Sequence, residues 1–262
     1  MEYLNLSFYK FVDLADPDRV KNEMRAYCRE SCPSLRGTVL LGAEGINCSV
    51  AGVPAEAERF LRYLGTNSDF SDLFIKRSTS SGRAPFSRLI IKVKKEIIPL
   101  GVASINPARR TGGRLAPEEL RRWYDSGKDF AVLDTRNAFE VELGTFRGAT
   151  QLNLRNFREF PQKIEELPAE TREKPVVMFC TGGIRCEKAT ALALEIGFRE
   201  VYQLDGGILN YFERCGSAHY EGECFVFDQR VALTPELRPS GRKACFDCRT
   251  VLRDGEDHRC SK

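Results

Sequence analysis

The sequence predicts an α/β chain of two domains: an N-terminal α+β domain of split βαβ order, then an α/β domain with a parallel sheet. Three observations predict it. Along the N-terminal third, alternating strands and two helices with start signals follow in the order strand–helix–strand–strand–helix–strand. Beyond a Pro- and Gly-rich stretch, short apolar strands alternate with helices, the pattern of a parallel sheet covered on both faces. The 262 residues, 42% hydrophobic and 29% charged, suffice for two modest cores of an ordinary soluble protein.

Each element has a local reason. Residues 4–12 alternate loosely and read as a strand. Asp16 suits a helix cap and Pro17 the first helical position, so a helix runs from there to about Cys32. Residues 37–41 and 46–50 read as strands around the hairpin-like turn Gly42-Ala43-Glu44-Gly45. Pro54 starts a second helix with Ala57, Phe60, Leu61 and Leu64 on its apolar face, and residues 88–93 form a closing strand. This order is that of a ferredoxin-like (acylphosphatase-like) domain, placed over residues 1–98. Such folds often bind RNA on the sheet, but the aromatic signature of an RNA-recognition motif is missing, so RNA contact would rest on charge and shape. Pro99, Gly101, Pro107, Gly112 and Gly113 mark residues 99–114 as a linker. In the second domain, residues 115–216, a helix over 117–124 turns Leu120, Trp123 and Tyr124 inward. Strands follow at 130–134, 176–179 and 201–203. A Cys-containing tail, residues 217–262, closes the chain, and residues 225–228 read as one short strand that packs back on the body.

Chemistry concentrates at Cys180-Thr181-Gly182-Gly183-Ile184-Arg185, between the apolar strand 175–179 and a helix over 187–196. A strand, a Gly-bearing turn and a helix start gather backbone N–H groups and the positive end of a helix dipole around the turn. Such donors stabilise a thiolate, and Arg185 adds positive charge, so the Cys180 thiol is expected to be unusually acidic. Gly182 and Gly183 let the backbone curl. The plainer alternative is a buried cysteine at a strand end. The coincidence of glycines, arginine and helix start favours a reactive one. It falls at the carboxyl end of a strand, where open α/β sheets place ligands.

Here the chain resembles a family. Cys-x4-Arg between strand and helix resembles the active loop of rhodanese domains, which carry sulfur as a cysteine persulfide. Related phosphatase loops are one residue longer, so this loop looks sized for sulfur. The resemblance extends to Val132-Leu133-Asp134-Thr135-Arg136-Asn137, Gly144-Thr145-Phe146-Arg147-Gly148-Ala149, the continuation Cys186-Glu187-Lys188-Ala189, and Leu204-Asp205-Gly206-Gly207-Ile208. Together with the N-terminal Leu41-Gly42-Ala43-Glu44-Gly45-Ile46-Asn47, these motifs resemble those of the bacterial tRNA uridine hydroxylase family. The resemblance covers most of residues 1–230 and implies a rhodanese-like second domain. It also implies formation of 5-hydroxyuridine at the wobble position (position 34) of tRNA, with dioxygen as co-substrate. No flavin, haem or iron-ligand motif is visible.

Composition bounds the rest. No apolar stretch approaches bilayer length, and the N-terminus lacks a basic segment followed by an apolar one, so neither a membrane partner nor a signal peptide is expected. Ten dispersed cysteines in a chain this size read as reduced thiols of a cytoplasmic protein. The net charge of +3 conceals a concentration. Residues 76–122 hold Lys76, Arg77, Arg83, Arg88, Lys92, Lys94, Lys95, Arg109, Arg110, Arg114, Arg121 and Arg122 against three glutamates. Such a field attracts polyanions, or it merely solvates a face. With the resemblance, tRNA contact leads, through Lys76, Arg77, Arg88, Lys92, Lys94, Lys95, Arg109 and Arg110. The sequence names no protein partner.

Other constellations carry alternatives. Cys245 and Cys248 have the spacing of a zinc half-site, and Cys260 with either His258 or Cys224 would complete four ligands; free thiols in the tail are the other reading. Cys186 either resolves an oxidised or persulfidated Cys180 or packs under the loop. Asp134 and Arg136 either orient substrate or pair to fix the loop's floor, and buried charges favour pairing. Thr181, Gly182, Gly183 and Ile184 would line the substrate. Glu44 and Asn47 contact RNA or the second domain, or serve the turn alone. His219 reads as structural, and Cys28, Cys32 and Cys48 as buried apolar residues. The expected chemistry is addition of the Cys180 thiolate to C6 of a splayed-out uridine, with loop N–H groups and Arg185 stabilising the charge that develops. Rhodanese-type sulfur transfer from a Cys180 persulfide and a non-catalytic RNA-binding or redox-sensing module are the competing classes.

Overall fold

The computed structural model describes residues 1–82, 84–245, 251, 252, 258 and 260. Arg83 and Cys248 lie outside the described residues. The chain divides into two compact units, Met1–Ile98 and Pro99–Lys262.

In the first unit, β1 (Glu2–Phe11), α1 (Pro17–Ser31), β2 (Arg36–Gly42), β3 (Gly45–Gly52), α2 (Pro54–Leu64), β4 (Lys76–Ser81) and β5 (Leu89–Val93) follow in order. Asp16 caps α1 as expected, its carboxylate accepting from Arg19 N at 2.8 Å. Val20, Met24 and Cys28 of α1 and Ala57, Phe60 and Leu64 of α2 are buried, at helical spacing. They join Leu6, Phe8, Val39, Leu41, Ile46, Cys48 and Val50 in one core. Strand register explains why these sheet residues share a face: Phe8 and Val39 both pair with Cys48, Leu6 with Val50, and Leu41 with Ile46. The strand order is β4-β1-β3-β2-β5, antiparallel except for the parallel β2–β5 pair.

One expectation needs correction here. The closing strand of the split βαβ order is β4, which pairs with β1, whereas residues 89–93 extend the opposite edge beside β2. The sequence of β4, Lys-Arg-Ser-Thr-Ser-Ser, has no apolar alternation because it is a largely exposed edge strand held through its backbone.

The second unit contains β6 (Gly113–Leu115), α3 (Pro117–Asp125), β7 (Ala131–Asp134), α4 (Ala138–Val141), β8 (Gly144–Phe146), β9 (Thr150–Gln151), α5 (Phe160–Glu165), α6 (Ala169–Glu173), β10 (Pro175–Phe179), α7 (Ile184–Glu195), β11 (Glu200–Leu204), α8 (Gly207–Cys215), β12 (Tyr220–Gly222), β13 (Cys224–Phe225) and β14 (Ala232–Leu233). The sheet runs β6-β11-β10-β7-β9 and is parallel throughout. Central β10 is apolar without alternation, Val176, Val177, Met178 and Phe179 all being buried, because both of its faces are covered.

The end of the expected linker belongs to this sheet. Gly113 and Arg114 pair with β11, and Gly112 N donates to Thr190 Oγ1. A Cβ on Gly112 would stand 2.7 Å from that of Thr190, so this glycine permits close packing rather than chain flexibility. Part of the expected tail is likewise structural: β12 pairs with β8, and β13 with β14.

Candidate active site

The loop between β10 and α7 wraps around the Cys180 sulfur. Gly183, at φ 101°, takes the left-handed conformation that glycine tolerates and caps α7. That turn aims N–H groups inward: Gly183 N donates to Cys180 Sγ at 3.1 Å, and the Arg185 amide also donates to it. The loop carbonyls are drawn the other way. Ile208 N donates to Cys180 O (3.0 Å) and Leu209 N to Thr181 O (3.2 Å), so the first turn of α8 holds them. Gly207 permits this contact, since a Cβ there would lie 2.5 Å from Cys180 O. The motif containing Gly206 and Gly207 is visible in the sequence, but its job as clamp of the Cys180 loop is not.

Burial pushes the Cys180 thiol up and is the largest single influence on it. The Cys186 thiol, the Arg185 guanidinium and the two amides outweigh it together, bringing the thiol down to about 5. Cys186 is driven well above the ordinary thiol range by burial, by donating to Cys180 and by that sulfur's charge. It therefore remains a protonated donor, 3.7 Å from Thr135 Oγ1. Cys180 is only 1% exposed, with Thr181, Gly182 and Ile184 half-buried around it.

Beneath the loop lies a network of buried charges. Asp134 and Arg136 are fully buried and paired: Arg136 Nε donates at 2.9 Å and Nη2 at 2.5 Å to the Asp134 carboxylate. Arg136 Nη2 also donates to Gly144 O at 2.6 Å, and Thr145 Oγ1 donates to Asp134. The two charges pair with each other and bond to β8 besides, and neither is turned toward solvent. Arg185 is tied back as well, its two terminal nitrogens donating to the Glu140 carboxylate at 2.6 and 2.7 Å. Burial raises Glu140, but Arg185 and Arg136 more than reverse this and hold it below the usual carboxylate range. Glu140 is a site residue that reasoning on the Cys180 motif misses. Its trace in the sequence is the Asn137-x-x-Glu140 spacing at the start of α4, where Asn137 N donates to Glu140 Oε2 at 3.1 Å.

Within the first unit the basic residues are divided between two sheet edges. Lys76 and Arg77 lie on β4 and Arg88, Lys92, Lys94 and Lys95 on or beside β5, at opposite edges of the first sheet. Arg77 is engaged by Glu58. Lys92 and Lys94 share an open groove with Lys21 and Arg25 of α1, lined also by Asp18, Ile91 and Val93. Lys21 and Arg25 fall outside the basic run of the sequence, and only the fold brings them to it. Arg109 and Arg110 are exposed in the second unit, and Arg114 there bridges Glu187 and Asp205.

The remaining candidates are placed as follows. Glu44 accepts from Ile97 N at 2.6 Å and Asn47 donates to Ile97 O at 3.1 Å, both bonds lying within the first unit. His219 bonds Asp125 at 2.7 Å and stacks on Tyr124. Cys28, Cys32 and Cys48 are buried. In the tail, the ligand atoms of Cys245, His258 and Cys260 lie within 4.8 Å of one another. Cys224 is not a ligand of this group, because it is buried in the core of the second unit and its thiol donates to Phe225 O.

Comparison with known proteins agrees with this architecture. Residues 3–97 match the UPF0176 acylphosphatase-like domain, and residues 116–214 match the rhodanese-like domain. The chain is 45% identical over 257 residues to a tRNA uridine(34) hydroxylase of Cupriavidus necator, covering 96% of this chain and 90% of that protein. Proteins of the same name from Cupriavidus pinatubonensis and Ralstonia nicotianae are each 46% identical over 257 residues with the same coverage. An acylphosphatase-like unit, a rhodanese-like unit with its Cys180 loop, and this identity along nearly the whole length have one meaning: the chain belongs to the tRNA uridine(34) hydroxylase family.

Proposed function

We propose that the protein hydroxylates C5 of the wobble uridine of tRNA, with Cys180 as the reactive sulfur. The observation that carries this reading is a buried sulfur that accepts from the Gly183 and Arg185 amides, in a chain whose relatives bear the name tRNA uridine(34) hydroxylase along its length. A sulfur anion is the strongest nucleophile available at neutral pH, and C6 of uracil is electrophilic. Addition at C6 places charge on C5 and O4 and makes C5 the electron-rich carbon. Dioxygen delivers one oxygen atom to C5 and loses the other as water. The two electrons and two protons this consumes come from two reductant thiols, which leave as a disulfide, and expulsion of the sulfur with loss of the C5 hydrogen as a proton restores the ring. Gly183 and Arg185 amides and the Cys186 thiol hold the sulfur anion, while Arg185 is positioned by Glu140. Thr181, Gly182 and Ile184 form the rim that the base crosses.

The burial of Cys180 favours one refinement. At 1% exposure its sulfur lies beneath the rim. A persulfide would carry the outer sulfur about 2 Å farther along the loop axis, so a persulfidated Cys180 is the second reading of the reactive form.

Nucleoside mass spectrometry of tRNA from cells lacking the gene, complemented with wild type or Cys180→Ser, tests the activity. Loss of 5-hydroxyuridine restored by wild type alone is expected. Full restoration by Cys180→Ser removes Cys180 from the mechanism, and loss of thiolated bases instead assigns sulfur transfer. A gain of one sulfur atom in the intact mass, absent from Cys180→Ser, identifies the persulfide.

The groove of Lys21, Arg25, Lys92 and Lys94 is the proposed tRNA contact of the first unit. Reversing Lys92 and Lys94 to Glu is expected to weaken tRNA binding and flatten its dependence on salt by about one in log–log slope per lost phosphate contact. An unchanged slope rejects the groove. Cys245, His258 and Cys260 are a sulfur and imidazole donor set suited to zinc, with Cys248 as the proposed fourth ligand. Equimolar zinc in purified wild type, lost in Cys245→Ser, is the expected result.

A further inference from the structure

Phe227 stands out among the described residues as a large apolar side chain left 52% exposed beside the Cys180 loop. Its ring lies 5.1 Å from that of Phe225 and 6.4 Å from that of Phe139, both edge-on, and the Arg185 guanidinium carbon is 6.0 Å from its centre. Phe225 and Phe139 meet edge-on at 5.1 Å. Phe225 is buried, and its carbonyl oxygen accepts from Thr181 Oγ1 at 3.4 Å. The aromatic group is thus joined to the residue that follows Cys180 and to the arginine that closes its loop.

The backbone carrying Phe227 is held firmly. Val226 N donates to Val231 O at 2.8 Å, and Val231 N to Asp228 O at 3.1 Å, closing the turn between β13 and β14. Arg230 forks onto the Asp228 carboxylate, with Nε at 2.9 Å and Nη2 at 2.6 Å. Val231 sits at φ 63°, a conformation that a β-branched residue adopts only where its surroundings force it. A single exposed phenylalanine is ordinary on any surface. This one is mounted on a strained, salt-bridged turn and backed by two further rings beside a reactive loop.

We propose that Phe227 is the platform on which the target uracil stacks as it enters the Cys180 loop, with Phe225 and Phe139 as its backing. This inference rests on the hydroxylation reading and adds the residue that reads the base as a flat, uncharged ring. Unpaired bases are recognised by stacking on aromatic side chains, which needs no charge and works in a loop whose bases are already splayed.

The test uses the full chain with Phe227→Ala and Phe227→Trp. Single-turnover formation of 5-hydroxyuridine on unmodified tRNA is expected to fall about tenfold or more in Phe227→Ala and to stay within about threefold of wild type in Phe227→Trp. Thiolate absorbance of Cys180 is expected to be unchanged in both variants, which separates loss of stacking from loss of the loop. Anticodon stem-loops carrying uridine or an abasic site at the target position supply the second measurement. Wild type is expected to bind the uridine form more tightly, and Phe227→Ala to bind both alike. A wild-type rate in Phe227→Ala, or a retained preference for uridine, overturns the proposal. If wild type forms no 5-hydroxyuridine, the hydroxylation reading fails, and the abasic comparison still decides whether this ring holds a base.

Discussion

Cys48 and Cys180 are equally hidden, each 1% exposed, yet their thiols are driven in opposite directions. Cys48 faces the helices of the first unit among Phe8, Val39 and other core side chains. Burial, then the neighbouring Cys28, holds its thiol well above the ordinary range. Burial is also the largest influence on Cys180 and acts the same way, but there the lost water is replaced by a thiol donor, a guanidinium and two amides. The difference is in what surrounds the sulfur once solvent has gone. A strand interior offers carbon, whereas a helix start behind a left-handed glycine offers aligned N–H groups. Activation of a cysteine is therefore a property of fixed donors, and exposure is a poor guide to it.

The largest expected effect of this contrast is spectroscopic. Thiolates absorb in the ultraviolet where thiols do not, so titration of the native protein is expected to show one step near pH 5 that Cys180→Ser removes. Cys28, raised to about 12 by burial and by Cys32, is expected to contribute no step below strongly alkaline pH. A wild-type trace flat through neutral pH, or a step that survives in Cys180→Ser, breaks the comparison.

A smaller effect sharpens it by removing charge while keeping shape. Arg185→Gln combined with Glu140→Gln replaces a buried ion pair by two amides and avoids leaving either charge alone. Because Arg185 lowers the Cys180 thiol directly, the step is expected to move up by about one pH unit, equivalent to about 1.4 kcal/mol. No movement of the step assigns the activation to the amides and Cys186 alone.

How much of this was legible beforehand follows the range of each interaction. The Cys180 loop was readable because its strand, glycines, arginine and helix start are contiguous. The Asp134–Arg136 pair was readable as two charges at a strand end. The helices of the first unit announced themselves through Asp16-Pro17 and Pro54 and through apolar spacing. β4 was not readable, because an exposed edge strand needs only backbone partners and its side chains carry no pattern. Gly112 and Gly113 read as linker because sequence shows a glycine's freedom and hides the Thr190 and Tyr202 side chains packed against it. Glu140 and Arg185 are separated by 45 positions, and no local rule pairs them. The burial of Cys180, and the arrival of Phe225 and Phe227 beside its loop, depend on tertiary packing in the same way.

The subtlest consequence is that the two kinds of buried cysteine tilt stability with pH in opposite directions. An unfolded cysteine loses its proton near pH 8.5. Between about pH 5 and that value, native Cys180 is ionised while the unfolded chain still holds the proton, so unfolding takes up a proton. Its contribution to stability then grows with pH by up to about 1.4 kcal/mol per unit and is lost as pH falls toward 5. Cys28 does the reverse. Above pH 8.5 the unfolded chain has released its proton while the native thiol keeps it toward about 12, so stability falls as pH rises. Urea unfolding of wild type, Cys180→Ser and Cys28→Ala at pH 6, 8 and 10 reads both slopes as differences from wild type. The Cys180→Ser difference is expected to widen from pH 6 to pH 8, and Cys28→Ala is expected to lose less stability than wild type from pH 8 to pH 10. Parallel curves for wild type and Cys180→Ser between pH 6 and 8 would mean that the sulfur holds its proton in both states, and the contrast between the two units would reduce to one of position.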